Sequence, residues 1–139
     1  MKATVLIAFI CYSLCAVVSA VFAIIYLVRT RFVPYHQEAL GLAWEKLEAR
    51  LQTLLLALMR SAGGALLAAS VSMAFLLLIP FRAEQACARY AIPIVGLTAA
   101  LPAFYANILV RVRTKAHAPT IASAAAVGLL ALGIIFSSV

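Results

Sequence analysis

Charged side chains are nearly missing from most of this chain, and their absence decides more than any residue present. Over residues 3–28, 54–79, 92–110 and 120–139 there is no Asp, Glu, Lys or His, and the one Arg is Arg60. Of the 139 residues, 67% are hydrophobic and 11% charged. A soluble domain of this length needs roughly a quarter of its residues charged to face water. The composition excludes that class. Four apolar runs and three connections use the whole chain, so a single transmembrane domain over 1–139 is expected.

Further absences narrow the chemistry. No carboxylate lies within a span, which excludes the proton-coupled mechanism of small multidrug transporters. No paired span histidines could ligate haem, and there is no HExxH. Cys11, Cys15 and Cys87 have neither metal-ligand spacing nor the count of a disulfide framework. Cys11 and Cys15 read as small, soft packing residues of the first span, and Cys87 as part of a short connection. Ser61, Ser70 and Ser72 lack a base within reach, and no glycine-rich phosphate loop occurs. No metal and no cofactor are expected.

What is present is hydrophobic length. Each run can cross a hydrocarbon core about 30 Å thick, which takes roughly 20 helical residues. The expected fold class is therefore all-α, an integral membrane four-helix bundle. Met1-Lys2, an apolar stretch and Val18-Ser19-Ala20 imitate a signal peptide. The stretch runs on to Val28, however, well past the roughly 7–15 residues of a signal core. Leu14 is too large to precede a lipid-modified Cys15, so a retained first span is expected.

The net charge of +7 sits in the connections, and the acidic partner it predicts is lipid headgroups, not nucleic acid. Arg29, Arg31, Lys46, Arg50, Arg60, Arg111, Arg113 and Lys115 belong to connections one and three; Lys2, Arg82 and Arg89 belong to the other side. By the positive-inside rule connections one and three are cytoplasmic and both termini periplasmic. Arg29, Arg31, Arg111, Arg113 and Lys115, with Trp44, are the expected contacts to anionic headgroups. Leu27-Val-Arg-Thr-Arg31 and Leu109-Val-Arg-Val-Arg113 echo one another, with His36 and His117 following. A duplicated hairpin would place both at one face.

Small residues predict where helices touch. Cys11, Cys15, Ser19 and Ala23 recur every fourth residue in the first span. Gly64, Ala68 and Ser72 do so in the second, and Ala122/Ala126 and Ala124/Gly128 in the fourth. Such stripes let backbones approach closely, within one chain or between copies in a homo-oligomer. Gly64, Ala68 and Gly128 are the packing positions this predicts. Gly63-Gly64 is a candidate bend. Pro102 should kink the third span and free the carbonyl of Thr98.

The first connection has a grammar of its own. Pro34 to Leu40 reads as one short helical turn, opened by Pro34 and ended by Gly41. Trp44, Leu47, Leu51 and Leu58 then recur at helical spacing opposite Glu45, Lys46, Glu48 and Arg50. This predicts an amphipathic helix anchored by Trp44 and continuous with the second span, about 54 Å from Trp44 to Ile79. A basic residue within a span is costly without a partner. Arg60, Tyr105, Asn107, His36 and Glu38 are accordingly the candidate polar cluster at the cytoplasmic end. Snorkelling of Arg60 to headgroups is the alternative.

The stretch Arg31-Phe-Val-Pro-Tyr-His-Gln-Glu-Ala-Leu-Gly41, with Trp44, Leu58-Met-Arg60, Gly63-Gly64 and Pro80-Phe-Arg82, resembles a family of small bacterial four-span proteins of uncharacterised activity. The resemblance covers most of the chain and implies a bacterial inner-membrane setting. The architecture is also similar to that of the membrane-associated glutathione transferases, with Glu48-Ala49-Arg50 echoing their glutamate–arginine region. Leu54, Leu55 and Leu56 stand where that family has an asparagine and a glutamate. Two readings follow. One is a non-enzymatic bundle whose basic face contacts anionic lipid or a partner. The other is a small-molecule or lipid-like ligand site at the cytoplasmic end, in a transporter or enzyme, with Arg60 turned inward.

Overall fold

The computed structural model describes residues 2–138. Five α-helices carry the chain: α1 (Ala3–Val28), α2 (Pro34–Leu40), α3 (Ala49–Leu76), α4 (Ala86–Thr114) and α5 (Thr120–Ser138). A 3-10 turn lies at Trp44–Lys46 and a π-helical turn at Leu77–Phe81, and no strand occurs among the described residues. α1, α3 with its π turn, α4 and α5 are each long and apolar enough to cross a membrane. The protein is an all-α, four-helix membrane bundle.

The four long helices stand in a ring. α1 packs against α3 on one side and α5 on the other; α4 closes the ring between α5 and α3 and barely meets α1 across the diagonal. The α3–α4 seam is the loosest of the four. At the end where the π turn joins α3 to α4, the interior is tightly filled. Tyr12, Met73, Leu77, Phe81, Ile92 and Leu130 form one buried cluster there. Tyr12 and Phe81 meet edge to face at 6.0 Å. The turn keeps its backbone bonded around Pro80, which has no N–H: Gln85 N–H donates to the Pro80 carbonyl at 2.9 Å.

A second, smaller cluster seals the other end on the α1–α3 side, where Phe32, Val33 and Leu47 of the first connection fold back onto Met59. α2 begins at Pro34 and stops at Gly41, whose φ of +65° is open to glycine at little cost. The expected amphipathic continuation does not form. Trp44–Lys46 is a separate turn, and the backbone is extended at Leu47 before α3 begins at Ala49. Two interactions replace the helix. The Trp44 ring meets Phe32 edge to face at 4.9 Å. The Gln52 amide donates to the carbonyls of Trp44 (2.8 Å) and Leu47 (3.2 Å), which helix bonds would otherwise occupy.

The close helix contacts also differ from the expected ones. The α1 stripe is buried as predicted at Cys11, Cys15 and Ala23. Ser19 donates to the Leu66 carbonyl at 3.1 Å, and Ser70 to that of Ala16 at 2.9 Å. On α3, however, Gly63 rather than Gly64 meets α1. A Cβ there would lie 3.0 Å from Tyr26 Cβ and 3.1 Å from the Ala23 carbonyl oxygen. Gly64 and Gly128 have open space beside them, and Ala68 is exposed, so none of the three is a packing position within this chain. Gly96 against Leu130 and Gly133 against Tyr12 are the other close approaches. α4 runs unbroken through Pro93 and Pro102, and Cys87 lies in its first turn rather than in a connection.

Candidate functional site

Between the two clusters the bundle is hollow. A cavity of about 410 Å³ lies within the ring, with α1, α3, α4 and α5 all contributing to its wall. Its cause is residue size: Ala62, Ala65 and Ala69 of α3 face Ala99, Ala100, Ala103 and Ala106 of α4, with Ala122 and Ala126 on α5. Facing alanines, with one methyl each, cannot fill the space between the helices that carry them. The wall residues from α1 and α5 are all buried or half-buried, whereas Ala62 and Ala65 of α3 and Thr98, Pro102 and Ala106 of α4 are exposed. The mouth therefore lies along the α3–α4 seam, facing sideways.

The polar side chains of the chamber concentrate at one end, with Ser19 and Thr98 farther along the wall. Tyr26, near the end of α1, and Tyr35 of α2 share a hydrogen bond between their hydroxyls at 2.7 Å. Burial, reinforced by the bond to Tyr26, pushes the Tyr35 phenol well above its usual range, so it stays neutral. Opposite, Asn107 of α4 donates from Nδ2 to Ser123 Oγ of α5 at 3.2 Å. The Ser123 hydroxyl in turn faces the Pro119 and Thr120 carbonyls at 3.2 and 3.1 Å. Halfway down, Pro102 lacks the N–H that would bond the Thr98 carbonyl, and both residues line the chamber. No charged side chain lines it.

The expected polar cluster is not assembled. Arg60 is exposed and makes no hydrogen bond or ion pair among the described residues. Tyr105 is 67% exposed. It lies two residues from Asn107, about 200° around the helix, so the two cannot both face inward. Of the five, Asn107 alone lines the chamber. His36 packs against Tyr35, Phe32 and Tyr26, and burial lowers its pKa. Glu38 turns instead to the third connection. Its Oε2 accepts from the His117 N–H at 2.8 Å and lies 2.9 Å from His117 Nδ1, which holds its carboxyl below the ordinary glutamate range. Connections one and three thus lie at one end of the bundle, the basic end.

The other basic residues surround that end. Arg111 donates to Thr120 Oγ1 at 2.7 Å, and Arg31 pairs with Glu45 at 2.7 Å on the surface. Arg29, Arg113 and Lys115 are exposed. Glu48 and Arg50 are exposed at the start of α3, and neither lines the chamber. No group of three or more His, Cys, Asp or Glu is placed to hold a metal ion among the described residues. Sequence reasoning missed Tyr26, Tyr35 and Ser123. The alanine density of the second, third and fourth spans was the available signal, legible as missing volume as well as close contact. No protein-family model matches this chain, and neither does any curated protein or solved structure.

Proposed function

We propose that this protein is a non-enzymatic membrane bundle that admits the hydrocarbon chain of a lipid or lipid-like amphiphile through the α3–α4 seam. The observation that carries this reading is the sideways mouth of the chamber, which faces hydrocarbon when the four helices span a bilayer. A void of about 410 Å³ left empty would cost on the order of 10 kcal/mol at ~24 cal/mol per Å³. That is comparable to the whole stability of a typical domain, about 5–15 kcal/mol. An apolar cavity does not hold water well, so hydrocarbon is the natural filling. The volume also falls in the roughly 300–1,000 Å³ range of small-ligand sites.

The lining offers hydrogen bonds but neither a carboxylate nor a basic group, which supports binding rather than turnover. The exposed Arg60 favours snorkelling and argues against a charged internal site. The basic end is read as cytoplasmic and in contact with anionic headgroups of the surrounding leaflet, in a bacterial inner membrane as the resemblance implies.

Native mass spectrometry of protein purified in a mild detergent tests the reading. The parent should retain a lipid mass that Ala103→Phe and Ala69→Phe, which fill the chamber, lose. In lipid-free detergent the filled variants should melt at a higher temperature than the parent, as cavity-filling substitutions commonly do. Equal lipid retention by parent and filled variants would overturn the proposal.

A further inference from the structure

The polar end of the chamber has hydrogen-bonding capacity that the protein leaves unused. A pair of phenols joined by one bond keeps one O–H donor and spare lone pairs. Asn107 uses one of its two N–H groups on Ser123, and its carbonyl oxygen has no partner among the described residues. Both sets line the same chamber, near the ends of α1 and α4 that carry the basic connections. The cationic side chains lie outside it.

We infer that the amphiphile taken up by this chamber has an uncharged, hydroxyl- or carbonyl-bearing head, seated between the Tyr26–Tyr35 pair and Asn107, with one apolar chain running toward Gly96 and Met73. The inference rests on the chain-binding reading above and adds the chemistry of the head. A phosphate or ammonium placed there would lose its hydration and find only neutral partners, which is strongly unfavourable. A head with no polar atoms would leave the Asn107 amide facing hydrocarbon, which is also unfavourable. An uncharged donor–acceptor head meets both conditions. The length fits a single chain. Asn107 and Gly96 are eleven residues apart on α4, about 16 Å at helical rise. That accommodates about 13 chain bonds at roughly 1.2 Å each, the advance per bond of a fully extended chain.

The test uses three probes on lipid-stripped, full-length protein in detergent, compared by equimolar competition in native mass spectrometry. They are 1-monomyristoylglycerol, the same molecule carrying a terminal phosphate, and tetradecane. The uncharged glyceride should bind at least tenfold more tightly than its phosphate. Tyr35→Phe, which keeps the ring, and Asn107→Leu should each weaken the glyceride roughly threefold to tenfold, the range of one net hydrogen bond. Both should leave tetradecane unchanged. Equal binding of the two glycerides, or preference for the phosphate, would overturn the head assignment while sparing the chain reading. So would undiminished glyceride binding by Tyr35→Phe and Asn107→Leu, whose tetradecane binding reports that the chamber is intact. If the parent takes up neither glyceride nor tetradecane, the chamber does not hold a chain at all, and both proposals fall together.

Discussion

A methyl group added at Gly133 would lie 2.3 Å from Cε1 of Tyr12, a ring with no exposed surface and no room to swing away. At Gly96 the obstacle is the end of the Leu130 side chain at 2.5 Å, as buried as Tyr12 but a flexible chain end rather than a rigid ring; at Gly64 there is none. Gly133→Ala should therefore destabilise the bundle by about 1–3 kcal/mol, the usual cost of overpacking. Gly96→Ala should cost less. Gly64→Ala should leave stability unchanged or raise it slightly, since alanine is the better helix former by about 1 kcal/mol. Melting the three variants in one detergent checks the order, and equal loss at Gly64 and Gly133 would refute it. The sequence carried the small-residue pattern but not its phase. Gly63 and Gly64 are neighbours, and the Ala23 carbonyl and the Tyr26 and Leu27 side chains laid over Gly63 mark which one faces α1. The choice between an inward and a snorkelling Arg60 is open in the sequence for a related reason: depth is readable from chain position, but rotation about the helix is not.

At the level of elements, the four spans, the short helix opened by Pro34 and its stop at Gly41 were all legible, because each rests on local composition. The break before α3 was not, because it rests on one remote side chain. Gln52 satisfies the Trp44 and Leu47 carbonyls across five to eight residues, a contact that no periodicity announces. Gln52→Leu should leave the Leu47 carbonyl unpartnered and the Trp44 carbonyl with only the Leu47 N–H, costing about 1–3 kcal/mol. It should also release Trp44, the only tryptophan, from Phe32 and shift its fluorescence emission to the red. An unchanged emission maximum would show that the turn holds without Gln52. The link between connections one and three is electrostatic and pH-dependent. The Glu38 carboxyl is depressed by the bonds it accepts from His117, so its contribution is present above the ordinary glutamate value near 4.3 and fades as pH falls through the lowered one. Backbone hydrogen exchange at His117, corrected for its intrinsic pH dependence, should stay protected from neutral pH to about 5 and lose protection below about 4. In Glu38→Ala it should be unprotected throughout. Equal protection in parent and variant at neutral pH would show that the bond does not persist.

The whole molecule divides along its axis into a packed half at the π turn and a hollow half toward the basic connections. That division was not legible, since alanine spacing signals close approach and missing volume alike and only the helix separation distinguishes them. The charge layout was legible. Arg60 and Arg82 bracket the membrane part of α3 and its π turn, and Arg89 and Arg111 bracket that of α4, each pair 22 positions apart. At helical rise that is about 33 Å, close to the roughly 30 Å hydrocarbon thickness, so all four arginines can reach headgroups. Arg60 then marks the boundary of the span, in keeping with its exposure. Orientation follows from the imbalance between the two boundaries. Connections one and three meet through Glu38 and His117 and, with Arg60, hold eight basic residues; the opposite end has Lys2, Arg82 and Arg89. Positive charge near span ends resists translocation, so the basic end should stay in the cytoplasm and the ends of the chain should lie across the membrane. Alkaline phosphatase fused after Val139 should be active in a bacterial host, and a green fluorescent protein at the same point should stay dark. The reverse pair of results would invert the topology and place the polar end of the chamber in the outer leaflet.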